Sequence, residues 1–275
     1  MKLAILGDLH IISPDDPFPE ARERRAHFAQ TDGALKALRI LVRQEAPDLV
    51  ISVGDLIDWY SDENRDAAIR FLDSLGAPWL LTPGNHDIAG YIRENGEVTG
   101  PYETAQIEEA ARKGWADAGI EIGNRAIDVG FARLLLLDSA PGEIPTQTQQ
   151  WLEENLTESA NRSADDKTIL FTHIPFNIEA IRRFITSVEP GRDPHKSLQR
   201  GMPAAIEDLL VAGMSMVFTG HLHFFPGHVA VNGLDMYLLP LSVISAGRVY
   251  PRQGTVTFLE LDGSPPRQVL LDPAH

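Results

Sequence analysis

The stretch DLVISVGDLID, residues 48 to 58, decides the reading of the fold. Its first half is a short run of Leu, Val and Ile without the polar alternation of a half-exposed strand, so it reads as a strand buried on both faces. Gly54 closes the run, and two carboxylates, Asp55 and Asp58, follow at once. KLAILG (residues 2 to 7) and PWLLTPG (residues 78 to 84) repeat the design, and are followed by Asp8-Leu9-His10 and by Asn85-His86-Asp87. Between the first two runs, residues 32 to 45 set Ala34, Leu35, Leu38, Leu41 and Val42 on one helical face. Residues 62 to 75 do the same with Ala67, Ala68, Phe71 and Leu72. Strand, helix, strand, helix, strand is a parallel βαβαβ unit with right-handed crossovers, which puts the chain in the α/β class.

Beyond that unit, a helix is predicted over 102–118, short strands over 126–129 and 133–137, and a helix over 146–155. Buried strands resume at 167–172 and 215–219, with a helix near 203–211 between them. From His228 the pattern alternates and contains Asn232-Gly233, a hairpin signal, so antiparallel strands are expected over 228–271. There is no internal repeat and no linker-like tract, and a single domain over residues 1–275 is expected. Three polar stretches, 12–30, 88–100 and 187–201, read as surface insertions. Because the first two directly follow polar strand ends, a rim that selects a substrate is the alternative reading.

The 275 residues include no cysteine, which removes disulfides, thiolate metal sites and a cysteine nucleophile. Any metal must then be held by His, Asp, Glu or Asn. The net charge of -15, from 39 acidic and 24 basic residues, argues against an extended nucleic-acid surface. A small anionic substrate stays compatible if the site itself is positive. No apolar run reaches the roughly 18 to 20 residues that span a bilayer, and the apolar start is too short for a signal-peptide core. A cytoplasmic location is expected.

Each buried strand ends in polar side chains able to bind metal. Besides the three already quoted, ILFTHIP (169–175) carries His173 and MVFTGHLH (216–223) ends in His221 and His223. In open α/β sheets ligands bind beyond the carboxyl ends of the strands, so these residues are expected to meet in one crevice. Five of the nine histidines sit at such ends, whereas His27, His195, His228 and His275 do not. Imidazole, carboxylate and amide oxygen without sulfur suit Mn, Fe, Zn, Co or Ni better than Ca. Seven candidates, Asp8, His10, Asp55, Asn85, His173, His221 and His223, exceed the needs of one tetrahedral ion and match two ions sharing a carboxylate. Only Asp8 and Asp55 among them are negative, so two bound ions would leave the site electropositive, as a phosphate requires.

The ordered set DxH, GDxxD, GNHD, a lone His after a strand, and GHxH, running from Asp8 to His223, resembles the calcineurin-like metallophosphoesterase superfamily. LLLLDS (134–139) followed by TQTQQWLEENL (146–156) is similar to that family's middle region. The resemblance implies a sandwich of two mixed β-sheets flanked by helices, with the site at the carboxyl ends of the strands. It implies one ion on Asp8, His10, Asp55 and His223 and a second on Asp55, Asn85, His173 and His221, the ions being Mn, Fe or Zn. It further implies that His86 contacts the phosphate and protonates the leaving oxygen, a task suited to an imidazole with an ordinary pKa of about 6.5. For Asp87 two readings stand, a residue that orients His86 or a turn cap. Asn85, His86 and His195 are the expected substrate contacts, and Arg24, Arg25, Arg93, Arg192 and Lys196 lie in the same variable stretches.

The motif details narrow the branch. Protein Ser/Thr phosphatases carry GNHE and an Arg where this chain has GNHD and Trp59. Purple acid phosphatases have a metal-binding Tyr where Asp58 stands, and UDP-diacylglucosamine hydrolases usually replace the His of GNHD by Arg. What remains is most similar to the bacterial class III cyclic-nucleotide phosphodiesterase branch. That resemblance implies hydrolysis of phosphodiester bonds in a small substrate, cyclic nucleotides among them, by metal-activated hydroxide attack. Phosphomonoesters, nucleotide pyrophosphates and phospholipids are the alternative substrates, and a non-catalytic protein-binding scaffold is the alternative outside enzymes.

Overall fold

The computed structural model describes residues 1–29, 32–130, 132–162, 166–202, 205–223, 226–243 and 254–271. In chain order the strands are β1 (Lys2–Leu6), β2 (Leu49–Ser52), β3 (Trp79–Leu81), β4 (Gly90–Glu94), β5 (Glu97–Tyr102), β6 (Arg125–Val129) and β7 (Ala132–Leu137). They continue with β8 (Lys167–Thr172), β9 (Met216–Thr219), β10 (Gly227–Val231), β11 (Leu234–Leu238), β12 (Thr255–Glu260) and β13 (Arg267–Leu270). The helices are α1 (Pro19–Arg24), α2 (Ala26–Ala29), α3 (Asp32–Glu45), α4 (Asp62–Asp73), α5 (Asn85–Ile88), α6 (Ala105–Asp117), α7 (Thr146–Ala160), α8 (Glu179–Val188) and α9 (Ile206–Gly213).

β1, β2 and β3 are parallel neighbours crossed over by α3 and α4, as the apolar runs predict. β12 joins antiparallel beside β1 and β13 beside β12, giving the order β13-β12-β1-β2-β3. The second sheet, β10-β11-β9-β8-β7-β6, has parallel neighbours at its centre and antiparallel strands at its edges. Both sheets are therefore mixed, and they face each other. Leu3, Ile5, Ile51 and Val53 share one buried cluster with Leu134, Leu136, Ile169, Phe171 and Phe218.

The alternate residues of the same strands point outward, because successive side chains of a strand leave opposite faces. Ala4, Leu6 and Val50 pack under Leu38, Val42, Phe71, Leu72 and Trp115 of α3, α4 and α6. Leu135, Leu137 and Leu170 pack under Leu152, Leu156, Ile181, Ile185 and Leu210 of α7, α8 and α9. Two cores per strand leave no polar side, which is why these strands read as continuous apolar runs.

Several boundaries differ from the sequence reading. Tyr102 closes β5, so the following helix starts at Ala105 behind a Thr104 cap, and α7 runs on to Ala160. Among the described residues, two α-helices, not one, lie between β8 and β9, since α8 precedes α9; residues 203–204 of the expected helix lie outside the described residues. The 88–100 stretch is not a plain loop but the β4–β5 hairpin, turned by Asn95 and Gly96 at φ 50° and 86°. The tail strands divide between the sheets: Asn232 and Gly233, φ 48° and 91°, turn β10 into β11, while β12 and β13 belong to the first sheet. Residues 244–253 of that tail, and His275, lie outside the described residues.

The first two insertions are packed together. Ala21, Trp59, Tyr91 and Val98, with Ile12 and Phe18 against them, form a small core of their own. Arg24 donates to the Val98 carbonyl at 2.9 Å and lies over the Tyr91 ring, and Arg93 pairs with Glu20 at 3.2 Å. Asp16 accepts from Trp59 Nε1 at 3.0 Å and Ser61 Oγ at 2.6 Å, which ties the 12–30 stretch to the loop behind β2. Among the described residues no helix is long and apolar enough to cross a membrane.

Candidate metal centre

The carboxyl ends of both sheets open into one crevice. Asp8 follows β1, Asp55 follows β2, Asn85 follows β3, His173 follows β8, and His221 and His223 follow β9. His10, Asp55 and His221 have φ of 47°, 47° and 64°, a left-handed conformation that costs a side-chain-bearing residue energy and tends to persist at functional sites. The first two loops are locked together, since the Leu9 and His10 N–H groups both donate to the Asp55 carbonyl at 2.9 Å. Glycines make the close approach possible. A Cβ at Gly84 would stand 2.2 Å from Asp55 Oδ1 and from its N, and one at Gly220 would stand 2.8 Å from Asp8 Oδ2.

Gly84→Ala is accordingly expected to cost about 1–3 kcal/mol of stability through overpacking against Asp55. Gly33→Ala, on the exposed side of α3 with nothing within 4 Å of the new methyl, should instead gain about 0.5–1 kcal/mol. Urea unfolding of the two variants beside the parent chain checks the opposite signs.

Asp55 lies at the centre of the crevice. Its Oδ2 is 3.2 Å from His173 Nε2 and 3.8 Å from His10 Nε2, while its Oδ1 accepts from the His86 backbone N–H at 2.9 Å. His173 Nδ1 donates to the Val53 carbonyl at 2.9 Å and His10 Nδ1 to Asp58 Oδ1 at 2.9 Å, so each ring turns Nε2 inward. Such a partner on the far nitrogen is the usual way a protein fixes the tautomer of a metal-binding histidine. Asp8 Oδ1 accepts from the His221 backbone N–H at 3.0 Å, leaving Oδ2 free to face the crevice. Ligand atoms converge in three overlapping groups: Asp8, His10 and His223; His10, Asp55 and His86; Asp55, His173 and His221, each within 4.8 Å.

Those residues fit bound ions on a test internal to the structure. Asp8 Oδ2, His10 Nε2 and Asn85 Oδ1 are buried without a hydrogen-bond partner among the described residues. Leaving a buried polar atom unmatched costs about 1–3 kcal/mol. Three of them around one crevice, together with an all-nitrogen-and-oxygen donor set, match first-row cations.

His173 carries a testable consequence. Burial opposes its charged form, but the Asp55 carboxylate beside it, Asp8 and the Val53 carbonyl together raise its pKa to about 9. Below that pH the ion-free protein holds a second ring proton, on Nε2, and an ion that uses Nε2 must displace it. Metal binding is thus expected to release about one proton from this ring near neutrality, with affinity rising as pH increases towards 9 and levelling above it. Calorimetric titration with Mn(II) in buffers of different ionisation enthalpy measures that proton.

His86 projects beside Asp55 from the start of α5. Its Nδ1 donates to the Asp58 carbonyl at 2.7 Å and lies 3.4 Å from Asp58 Oδ1, and its ring meets His10 edge-on at 4.9 Å. Asp58, to which the sequence reading gave no role, thus contacts two site histidines at once. Its carboxylate is clamped by Arg25, with Nε to Oδ2 at 2.6 Å and Nη2 to Oδ1 at 2.5 Å. Burial would push the Asp58 carboxyl up, but hydrogen bonds from His10 and Arg25 hold it well below the usual carboxylate range. Arg25 also lies over Phe28, which stacks on His10 at 4.2 Å, so the first insertion braces the site from behind.

Asp87 corrects an expectation. Its Oδ2 accepts from the Gly84 N–H at 2.8 Å and its Oδ1 from the Ile57 N–H at 3.0 Å, while His86 Nδ1 makes its hydrogen bond to the Asp58 carbonyl. It caps the turn, the second of its two readings, and the contact to His86 comes from Asp58. The physical reason is local: the third residue of a helical turn points back at the turn's entry, not at its neighbour's side chain.

The family model for calcineurin-like phosphoesterases matches residues 1–225. The chain belongs to the calcineurin-like phosphoesterase family. A curated relative, the glycerophosphodiester phosphodiesterase GpdQ of Enterobacter lignolyticus (strain SCF1), is 30% identical over 182 residues, 64% of this chain. The match spans 57% of that relative's length. Among solved structures, a dimetal phosphatase from Danio rerio aligns over 99% of both chains with a TM-score of 0.53 at 15% identity. Purple acid phosphatase PPD1 from yellow lupin (Lupinus luteus) aligns over all of this chain and 52% of its own, with a TM-score of 0.58 at 14% identity. These structural likenesses bear on the fold, and agree with the two-sheet sandwich.

In this calcineurin-like phosphoesterase the crevice opens into a rim pocket of about 220 Å³. Asn85 and His221 of the crevice line it, together with Glu103 and with His195, Lys196 and Arg200 of the third insertion. His195, one of the expected substrate contacts, is thus among the lining residues, and Glu103 and Arg200 line the pocket without having been singled out in the sequence. Glu103 Oε1 accepts from Asn85 Nδ2 at 3.3 Å, which turns the amide oxygen of Asn85 the other way. Arg24 and Arg93 hold the insertions together as described, and Arg192 engages Glu189 at 3.2 Å and Ser197 Oγ at 3.0 Å.

Proposed function

We propose that the chain is a dinuclear-metal phosphodiesterase acting on a small phosphodiester. The observation that carries the reading is the position of Asp55, whose Oδ2 lies within reach of His173 Nε2 (3.2 Å) and His10 Nε2 (3.8 Å), one from each of two ligand groups. Asp8, His10, Asp55 and His223 would hold one ion, and Asp55, Asn85, His173 and His221 the other. Mn, Fe and Zn all suit those donors. Bound there, the ions supply Lewis-acid charge and a nucleophile drawn from water at neutral pH.

The chain's own residues do the rest. Asn85 and His86 face the reacting phosphate, with His195 at the rim as a further contact. His86 Nδ1 is committed to the Asp58 carbonyl, so Nε2 is the atom able to hand a proton to the leaving oxygen. In the ion-free chain burial disfavours the charged ring, but the neighbouring Asp55 and Asp58 carboxylates raise its pKa above the ordinary value. Asp58, which would hold no ion, is the group that would still favour a proton on this ring once Asp55 is shared by metals. Asp58 and Arg25 keep His86 and His10 in place. Asp87 preserves the turn that presents Asn85 and His86.

A diester is favoured over a monoester because the curated relative is a glycerophosphodiester phosphodiesterase. Cyclic nucleotides are one candidate within that class. Residues 1–275 are read as one domain, with β12 and β13 completing its first sheet, and the cysteine-free composition favours a cytoplasmic enzyme. The test compares bis(p-nitrophenyl) phosphate with p-nitrophenyl phosphate on Mn-loaded protein. Mn-dependent turnover with the higher kcat/KM for the diester is expected; no turnover of either after Mn or Fe supply would overturn the reading.

A further inference from the structure

The rim pocket has a charge pattern that the hydrolytic centre does not account for. In a chain of net charge -15, its lining carries Lys196 and Arg200, and among the described residues neither makes an ion pair. Arg200 is anchored, its N–H donating to the Gly142 carbonyl at 2.8 Å and its carbonyl accepting from Ile144 at 3.0 Å. Its Nη2 lies over Gly142, 3.7 Å from where a Cβ on that glycine would stand. His195 adds a further donor. Its Nδ1 faces Asn177 Nδ2 at 3.2 Å and so accepts, which leaves the ring proton on Nε2. Glu103, the carboxylate in the lining, is engaged by Asn85 through Oε1.

We infer that the pocket receives a second anionic group, a phosphate or carboxylate carried on one ester arm of the substrate, while the reacting phosphate sits at the Asn85 and His221 end. The inference rests on the phosphodiesterase reading and narrows its substrate class. Donors of three kinds converge on a volume of about 220 Å³ beside the reactive end, which suits a short charged arm. An acidic protein surface repels anions in general, so a local pair of cations is what would draw such an arm in and orient it.

The test uses three p-nitrophenyl diesters that differ in the retained aryl arm, with a 4-carbamoyl, 4-carboxylate or 4-phosphonate substituent. On Mn-loaded protein the two anionic arms are expected to raise kcat/KM over the neutral arm by roughly three- to tenfold, mainly through KM, and the advantage should shrink in high salt. In the double variant Lys196→Met with Arg200→Met, that ratio should fall to about one. Reading a ratio within each protein cancels any general loss of activity. The larger of the two advantages identifies the preferred anion. A ratio of one in the parent protein, or a ratio that survives the double substitution, would overturn the inference. If none of the three diesters is hydrolysed, the phosphodiesterase reading falls first and takes this inference with it.

Discussion

Asp55→Asn protein is expected to bind neither ion stably and to lose activity by roughly a thousandfold or more, because Lewis-acid charge and nucleophile generation disappear together. Asparagine is the informative replacement. It has nearly the volume of aspartate, it tolerates the left-handed backbone found at this position (φ 47°), and it keeps an oxygen to accept the His86 N–H now held at 2.9 Å. The fold should therefore survive, with an unchanged far-ultraviolet circular dichroism spectrum. What asparagine cannot supply is the negative charge beside His173 and His10. Asn85→Ala gives the contrast, since it removes a ligand proposed for one ion alone and should leave about one ion per chain. If Asp55→Asn retains both ions and full turnover, the shared-carboxylate account is wrong.

The second large effect concerns His86. His86→Ala should retain both ions yet lower kcat by roughly 100- to 10,000-fold on an alkyl phosphodiester, whose alkoxide needs a proton to depart. On bis(p-nitrophenyl) phosphate, whose phenolate leaves unaided, the loss should be far smaller. That dependence on the leaving group separates a proton donor from a residue that merely binds phosphate, which would lower both substrates alike. Full activity of His86→Ala on the alkyl diester would remove His86 from its assigned role.

Much of this was legible in the amino-acid order, for physical reasons that differ by element. The central strands announced themselves because both faces are covered, so Leu3 and Ile5 serve one core and Ala4 and Leu6 another. The convergence of the candidate ligands was legible because parallel strands deliver their carboxyl ends to one place. The β4–β5 hairpin was readable too: Asn95-Gly96 is the same signal as Asn232-Gly233, but charged neighbours at Arg93, Glu94 and Glu97 masked it. α8 escaped because its buried strip is only Ile181 and Ile185, set among Glu179, Arg182 and Arg183.

The support around the site was less accessible. Asp58 is visible in GDxxD, but its function depends on Arg25 and Phe28, which reach it only once the first insertion folds back. Nothing in the spacing of Arg25 and Asp58 signals that contact. Adjacency in GNHD likewise suggested that Asp87 serves His86, whereas the turn sends the two side chains in different directions.

The claim at the centre of the account is a pair of ions sharing Asp55. Equilibrium dialysis against Mn(II), followed by metal analysis, measures it most directly. Two Mn per parent chain and near none in Asp55→Asn are predicted. One Mn per parent chain, or two in the variant, would contradict it.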